Sequence, residues 1–250
     1  MKKFIAYFDY LGFKEFIENN NLEYQKKIIE NNFRDIESAL GKGDYKDTHN
    51  GLIADLKNSN INCINFSDTV VFWTNDDSNS SLKEILEVSH AFNLRAINFC
   101  FPVRGSLVYG EIVNVDFKEH NSVGGLYNIN SVFGKGLVKA YEKSEMQNWA
   151  GTVFDESLIK EMHKRNIEID IFLKSFAKKY KVPYKNGIEL SEEFVLSIVK
   201  GNLNNESLKI LKNRIINNFR QFNKSVDNQN VQEKIKNTIS FLESFCNPIK

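Results

Sequence analysis

The chain opens on an unbroken apolar and aromatic run. Lys3 to Asp9 contains no turn residue and predicts a buried strand. Leu11-Gly12 then turns the chain into a different period. Phe13, Phe16, Ile17, Tyr24, Ile28, Phe33, Ile36 and Leu40 recur at helical spacing between Lys, Glu and Asn, which predicts one long helix closed by Gly41 and Gly43. After a polar loop, the β-rich runs Ile61–Phe66 and Thr69–Trp73 flank Ser67-Asp68 and predict a hairpin with Asp68 at its tip. A helix is predicted from about Leu82 to Phe99 and a strand over Pro102–Val113. Further on come a strand near Gly125–Val132, a helix over Gly136–Met146 and a short closing strand at Thr152–Phe154.

The order β-α-β-β-α-β over residues 1–157 fits an α+β domain of ferredoxin-like arrangement, an antiparallel sheet with two helices on one face. Residues 158–250 have another texture and read as a helical C-terminal extension. Helices are predicted at Ser191–Val199, at Ser207–Phe222 with Leu208, Leu211, Ile215, Phe219 and Phe222 on one stripe, and at Val231–Phe245 with Val231, Ile235, Ile239 and Leu242 likewise. Asparagine-rich connections separate them. No catalytic constellation shows there, and the extension is expected to pack on the first domain or on a second subunit.

Composition narrows the function classes. The 250 residues are 42% hydrophobic and 26% charged, ordinary for a chain that builds a core, and the formal net charge is +1. That near-balance argues against duplex DNA or an anionic membrane as a bulk partner, though not against one small anionic ligand. Cys63, Cys100 and Cys246 are odd in number, far apart and set among apolar residues, so free thiols are expected. The four histidines are scattered, which disfavours zinc. Neither a signal peptide nor an apolar run of membrane-spanning length is present, and a cytoplasmic location is expected.

Asp9 follows a buried strand and Asp68 sits between two strands, so a sheet of this order can bring the two carboxylates to one edge. Paired hard oxygen ligands suit Mg²⁺ or Mn²⁺, which complete their shells with phosphate and water. A plain alternative stands beside this: Asp9 caps the following helix and Asp68 makes the turn. Strand position does not decide between them.

Four segments bear on that choice. FIAYFDYLGFKEF resembles the opening of the class III nucleotidyl cyclases, and INFSDTVVFW matches that family's second metal aspartate at a hairpin tip. VRGSLVYGEI resembles its Arg/Gly-containing strand, and FGKGLVKAYEKSE followed by GTVFD resembles its dimer-side helix and closing strand. The resemblance covers about the first 155 residues in the right order. It implies ligation of two Mn²⁺ or Mg²⁺ ions by Asp9, the Tyr10 carbonyl and Asp68, with backbone amides of Leu11, Gly12 and Phe13 facing the phosphates. It also implies attack of a ribose 3′-oxygen on the α-phosphorus with loss of pyrophosphate, at sites on a homodimer interface.

This chain departs from the family at definite places. The base-reading positions of the purine cyclases hold Asn62 and Ser131, and those of the transition-state Asn and Arg hold Val138 and Glu142. Either catalysis has been lost, or the base and the charge-stabilising groups differ. FSDTVVF, VRGSLVYGEI and GxGLVxAYExxE are similar to the pyrimidine cyclases of the bacterial antiphage system Pycsar, whose cyclic CMP or cyclic UMP activates a separate effector protein. That resemblance implies a UTP or CTP substrate read by Asn62 and Ser131, each able to donate and accept hydrogen bonds. A smaller base leaves space for walls such as Phe66 or Tyr141. Arg104 is the candidate for compensating charge, ahead of Lys135 and Lys139, against the alternative of a surface ion pair. The rivals are a purine cyclase and an inactive nucleotide-sensing or dimerisation module. Gly134-Lys135-Gly136 lacks the rest of a phosphate loop, and Asp76-Asp77 read as solvated.

Overall fold

A computed structural model describes residues 1–49, 51–99, 101–120, 122–185 and 192–246. In chain order the elements are β1 (Lys2–Tyr10), α1 (Phe13–Asn19), α2 (Leu22–Leu40), β2 (Tyr45–Thr48), β3 (Gly51–Ala54), β4 (Ile61–Phe66), β5 (Thr69–Thr74) and α3 (Asn79–Phe99). Then come β6 (Val103–Glu111), β7 (Val113–His120), β8 (Leu126–Phe133), α4 (Lys135–Glu145), β9 (Thr152–Phe154), α5 (Glu156–Lys164) and α6 (Ile169–Phe172). The last are β10 (Ala177–Tyr180), β11 (Glu193–Leu196), α7 (Asn205–Arg220) and α8 (Gln229–Glu243).

One seven-stranded sheet runs in the order β10-β11-β9-β6-β1-β5-β4. Its β6-β1-β5-β4 half is antiparallel throughout and has the ferredoxin-like arrangement that the segment order predicts. Strand β1 sits in the middle, which explains its continuous apolar run. Phe4, Ala6, Phe8 and Tyr10 enter the large core beneath α2 and α3, while Ile5 and Tyr7 enter a smaller cluster with Val71, Trp73 and Val108 beneath α4. Helix α4 approaches closely because a Cβ on Gly110 would come within 2.6 Å of Gly136 Cα. These glycines serve packing, in keeping with the rejection of a phosphate loop at Gly134-Lys135-Gly136.

Several elements differ from the sequence pattern, among them the stretch after Gly43, where a polar loop is expected and β2 and β3 pair as a small hairpin. The predicted single helix is two, because Asn20 leaves helical geometry and the Asn21 side chain caps α2 by accepting from the Tyr24 amide. Asn20 also donates to the Phe222 carbonyl at 2.8 Å, so the break is fixed by the far end of the chain. The helix expected at Ser191–Val199 is the strand β11 over Glu193–Leu196, paired with β10 and β9. Short apolar runs are ambiguous in periodicity, and the open edge of β9 decides this one. Finally, the strand near Gly125–Val132 has an unforeseen partner in β7, and the two form a separate hairpin.

Residues beyond 157 thus contribute strands as well as helices. Helices α7 and α8 lie close to the predicted stripes, and Asn204 and Asn228 in the asparagine-rich connections cap them. The buried Trp149 ring stacks on Tyr180 and meets Phe241 of α8, joining both parts of the chain in one core. Among the described residues Cys63 and Cys246 are free, and burial pushes the Cys63 thiol up to about 12; Cys100 lies outside them. No helix among the described residues is long and apolar enough to cross a membrane.

Candidate functional site

The end of β1 meets the β4–β5 turn and the start of β6. Asp9 pairs with Thr69 on one side and with Arg104 on the other. The Tyr10 amide donates to the Asp68 carbonyl at 2.8 Å, locking the hairpin tip against the strand end. Ser67 takes a left-handed φ of 55° to make that tip. By alternation Asp9 shares the α4 face of the sheet with Ile5 and Tyr7, and Asp68 lies close enough for its charge to act on both Asp9 and Tyr7.

Arg104 is the centre of an ion chain. Its guanidinium donates to Asp9 Oδ2 from Nε at 3.2 Å and from NH2 at 2.8 Å, and NH2 also donates to Glu145 Oε1 at the end of α4. The Arg104 and Asp9 side chains are 9% and 14% exposed, so the pair is shielded from solvent and is not a surface ion pair. Burial raises the Asp9 pKa to about 6, with Arg104 pulling it down and Asp68 pushing it up. Desolvation therefore outweighs the ion pair.

The segment beyond residue 157 completes the cluster, which sequence reasoning missed. Lys185 Nζ lies 3.4 Å from Glu145 Oε2, and its backbone amide donates to the Met146 carbonyl. Its pKa is lowered by burial and then by Arg104, with Asp9 opposing. Lys234 on α8 is lowered by burial, then by Arg104 and Lys185. Arg104 and Lys185 thus act on Asp9 directly, and Lys234 stands near those two cations. A solvated lysine pattern gave no sign of this, because it depends on how α8 docks.

Some expected groups stand elsewhere. The Leu11 amide donates to the Pro102 carbonyl at 2.9 Å, so the phosphate role expected of it falls away; the α1 amides at Gly12 and Phe13 remain candidates. Gly12 has a φ of 79°, and a Cβ there would meet Lys224 Cδ at 2.8 Å, so the turn is covered by a buried lysine stem. A small cavity of about 100 Å³ lies beside it, lined in part by Gly12, Lys224 and Lys234. Asn62 pairs with Trp73, itself paired with Ile5, four residues along β1 from Asp9 or about 13 Å. Its amide donates to the Trp73 carbonyl and to Asn75 Oδ1. Ser131 belongs to the separate β7–β8 hairpin. Within one chain the structure therefore unites Asp9, Tyr10, Asp68 and Arg104 but not Asn62 and Ser131.

The other candidates resolve as follows. Lys139 is ion-paired at 2.9 Å with buried Asp155, which caps α5, and Lys135 is exposed at the start of α4. Phe66, Val138 and Tyr141 are exposed, and Tyr141 packs edge-on against Tyr7. Asp76 accepts from Ser78 and Ser81, which hold its pKa down at about 2, while Asp77 accepts from the Tyr109 hydroxyl and Arg165.

Asp9, Asp68 and the Tyr10 carbonyl form a set of hard oxygen donors with no thiolate or imidazole among them. Among the described residues no group of three or more His, Cys, Asp or Glu could enclose an ion. The set fits a hard divalent cation that takes its remaining ligands from phosphate and water, rather than a closed protein cage.

No family model matches the chain, and no curated protein does. Solved structures do match in fold. The guanylate cyclase domain of RhGC from Catenaria anguillulae in complex with GTP has a TM-score of 0.51 at 8% identity, over 78% of this chain and 96% of that one. The catalytic core of a rhodopsin-guanylyl cyclase with converted specificity, in complex with ATPαS, gives 0.53 at 8%, over 78% and 95%. The dimeric guanylyl cyclase domain of the RhoGC fusion protein from the aquatic fungus Blastocladiella emersonii gives 0.50 at 9%, over 78% and 93%. The chain has the fold of a guanylyl cyclase catalytic domain. A coverage of 78% exceeds what residues 1–157 can supply, so the shared fold runs past that point.

Proposed function

We propose that the chain is a nucleotidyl cyclase that converts UTP or CTP to the 3′,5′-cyclic monophosphate and pyrophosphate. The observation that carries this reading is the convergence of Asp9 and Asp68 at the strand ends of a cyclase fold. Asp9, Asp68 and the Tyr10 carbonyl would hold two Mg²⁺ or Mn²⁺ ions, whose chemistry is to acidify the attacking hydroxyl and to neutralise the leaving phosphates.

The remaining work falls to this chain's own side chains. The ribose 3′-oxygen loses its proton to water and bonds to the α-phosphorus, and the bond from that phosphorus to the bridging oxygen of the β-phosphate breaks. Charge grows on the departing pyrophosphate. Val138 and Glu142 offer it no cation, whereas Arg104 and Lys185 stand by Asp9 in the same chain and Lys234 stands near them. They would stabilise the leaving group from fixed positions, where preorganised charge is most effective. The Gly12 and Phe13 amides would add a neutral anion contact.

The base would be read across a homodimer. Asn62 and Ser131 lie away from Asp9 within one chain, so a second copy would have to present them. Exposed Phe66 (79%), Val138 (56%), Phe133 (52%) and Tyr141 (50%) offer an apolar surface for that copy. Positions that hold an Asn and a Ser suit a pyrimidine edge, and the product would act as a second messenger that binds a separate effector in antiphage defence. A purine triphosphate is the alternative substrate, favoured by neighbours solved with GTP and ATPαS. An inactive nucleotide-sensing domain is favoured by the hold of Arg104 on Asp9 Oδ2 and by the engaged Leu11 amide.

The test is incubation of the dimeric protein with each of the four ribonucleoside triphosphates and Mn²⁺, with products identified by mass. Cyclic UMP or cyclic CMP, lost in Asp68→Ala, supports the proposal. A purine product removes the pyrimidine assignment, and no cyclic product removes the enzyme. Loss of phage protection in cells carrying Asp68→Ala would support the defence role; unchanged protection would refute it.

A further inference from the structure

One cavity lies away from the carboxylate pair. It opens among α2, α3 and α7, on the opposite side of the sheet from α4, and encloses about 640 Å³. That is within the range of small-molecule sites. Its wall has two chemistries. Leu94 and Phe99 of α3 and Ile210 of α7 supply apolar surface, and Phe99 and Ile210 remain 65% and 52% exposed. Every charged residue in the lining is a cation: Lys42, Arg95, Lys200 and Arg214.

Two of these cations are already neutralised, Lys42 by Glu84 at 2.8 Å and Arg95 by Asp35 at 2.9 Å. Lys200 and Arg214 take part in no ion pair among the described residues. The Arg214 guanidinium lies 5.0 Å from the centre of the Phe99 ring, which holds it at the mouth while the ring stays available. His90 does not compete for an anion. Burial and the charge of Lys200 push its pKa down to about 4, so it is neutral at physiological pH.

We propose that this cavity binds an organic anion with a flat apolar body, the body against Phe99, Leu94 and Ile210 and the phosphate, sulfonate or carboxylate end between Lys200 and Arg214. Each half of the wall demands one half of that ligand. A bare anion leaves the exposed aromatic and aliphatic surface wet, and a neutral hydrocarbon leaves two unpaired cations at its edge. The site would be separate from catalysis, since none of its lining residues belongs to the Asp9 cluster.

The probe is 1-naphthyl phosphate, titrated calorimetrically into the full chain, with 1-naphthol and inorganic phosphate as the two halves. Saturable binding is expected for 1-naphthyl phosphate, at least tenfold tighter than for either half. The double variant K200E/R214E, on the protein surface, should weaken it at least tenfold. Ser207→Trp, which fills the cavity from the start of α7, should abolish it with the charges intact. Asp68→Ala should leave binding unchanged whether or not the chain proves to be a cyclase. Absence of binding, equal affinity for 1-naphthol, or insensitivity to both the charge and the filling variants would overturn the proposal. So would loss of binding in Asp68→Ala, which would place the probe in the carboxylate site.

Discussion

Replacing Asp9 by Asn keeps the shape of the side chain and removes its charge. Burial raises the Asp9 pKa from 3.8 to about 6 despite Arg104. At 14% exposure, solvent screening discounts the effect only slightly. Each pKa unit corresponds to 1.36 kcal/mol, so ionised Asp9 destabilises the fold by about 3 kcal/mol. The folded state holds the Asp9 proton more tightly than the unfolded chain does. Between pH 3.8 and about 6 the unfolded chain is therefore already ionised, stability falls as pH rises, and the full cost is present above about 6. The amide that replaces the carboxyl does not titrate. Thermal and urea unfolding in EDTA, from pH 4 to 7.5, should find Asp9→Asn close to wild type at pH 4. At pH 7.5 it should be more stable by about 3 kcal/mol, or about 6–12 °C in Tm for a chain of this size. Equal or lower stability of the variant at pH 7.5, or a difference that does not change with pH, would refute the balance of desolvation and ion pairing argued for this site. The same variant should lose cyclase activity, so a stabilised but inactive protein is the expected pairing.

Lys185→Ala and Lys234→Ala should each lower kcat/KM for triphosphate turnover by about 10–100-fold, the loss of a charge-assisted contact of about 1.5–3 kcal/mol. Unchanged kinetics would show that these cations do not meet the phosphates. Trp149→Ala should cost about 3–5 kcal/mol in urea unfolding, because the fully buried ring joins Tyr180 and Phe241 to the core. A loss below about 1 kcal/mol would show that this junction is loosely packed. Gly12→Ala should destabilise by about 1–2 kcal/mol through its left-handed φ of 79°, beyond any shift of Lys224. Phe66→Asp should shift sedimentation towards monomer and reduce activity in proportion, whereas an unaltered dimer would place the interface elsewhere.

The local pattern was enough to define the strands and turn that carry Asp9 and Asp68. The apolar run of β1 is short and carries no turn residue, as a buried strand does, and the two β-rich runs β4 and β5 close on Ser67-Asp68. Those elements sit in one β-α-β-β-α-β unit, in which a short connection fixes the β4–β5 pairing and β1 pairs with strands far along the chain. The resemblance in motif order then gave the carboxylates an expected chemistry. Helical stripes likewise located α3, α4, α7 and α8 to within a few residues.

What sequence could not supply depends on partners distant in the chain. The break at Asn20 is held by the carbonyl of Phe222, two hundred residues on, and the strand β11 exists because β9 and β10 offer it edges. Sequence left Arg104 between compensating charge at the site and a surface ion pair, and tertiary packing set it, shielded, between Asp9 and Glu145. Lys185 and Lys234 sit in segments whose pattern is that of ordinary solvated lysines, and they come near Arg104 only because the chain after β10 meets the end of α4 and α8 docks on residues 148–150. Periodicity records which face of an element is buried, and so the sequence determined where Asp9 and Asp68 stand at the ends of their strands. Charge convergence is a property of how faces meet, and only the tertiary structure decided which cations stand opposite those two carboxylates.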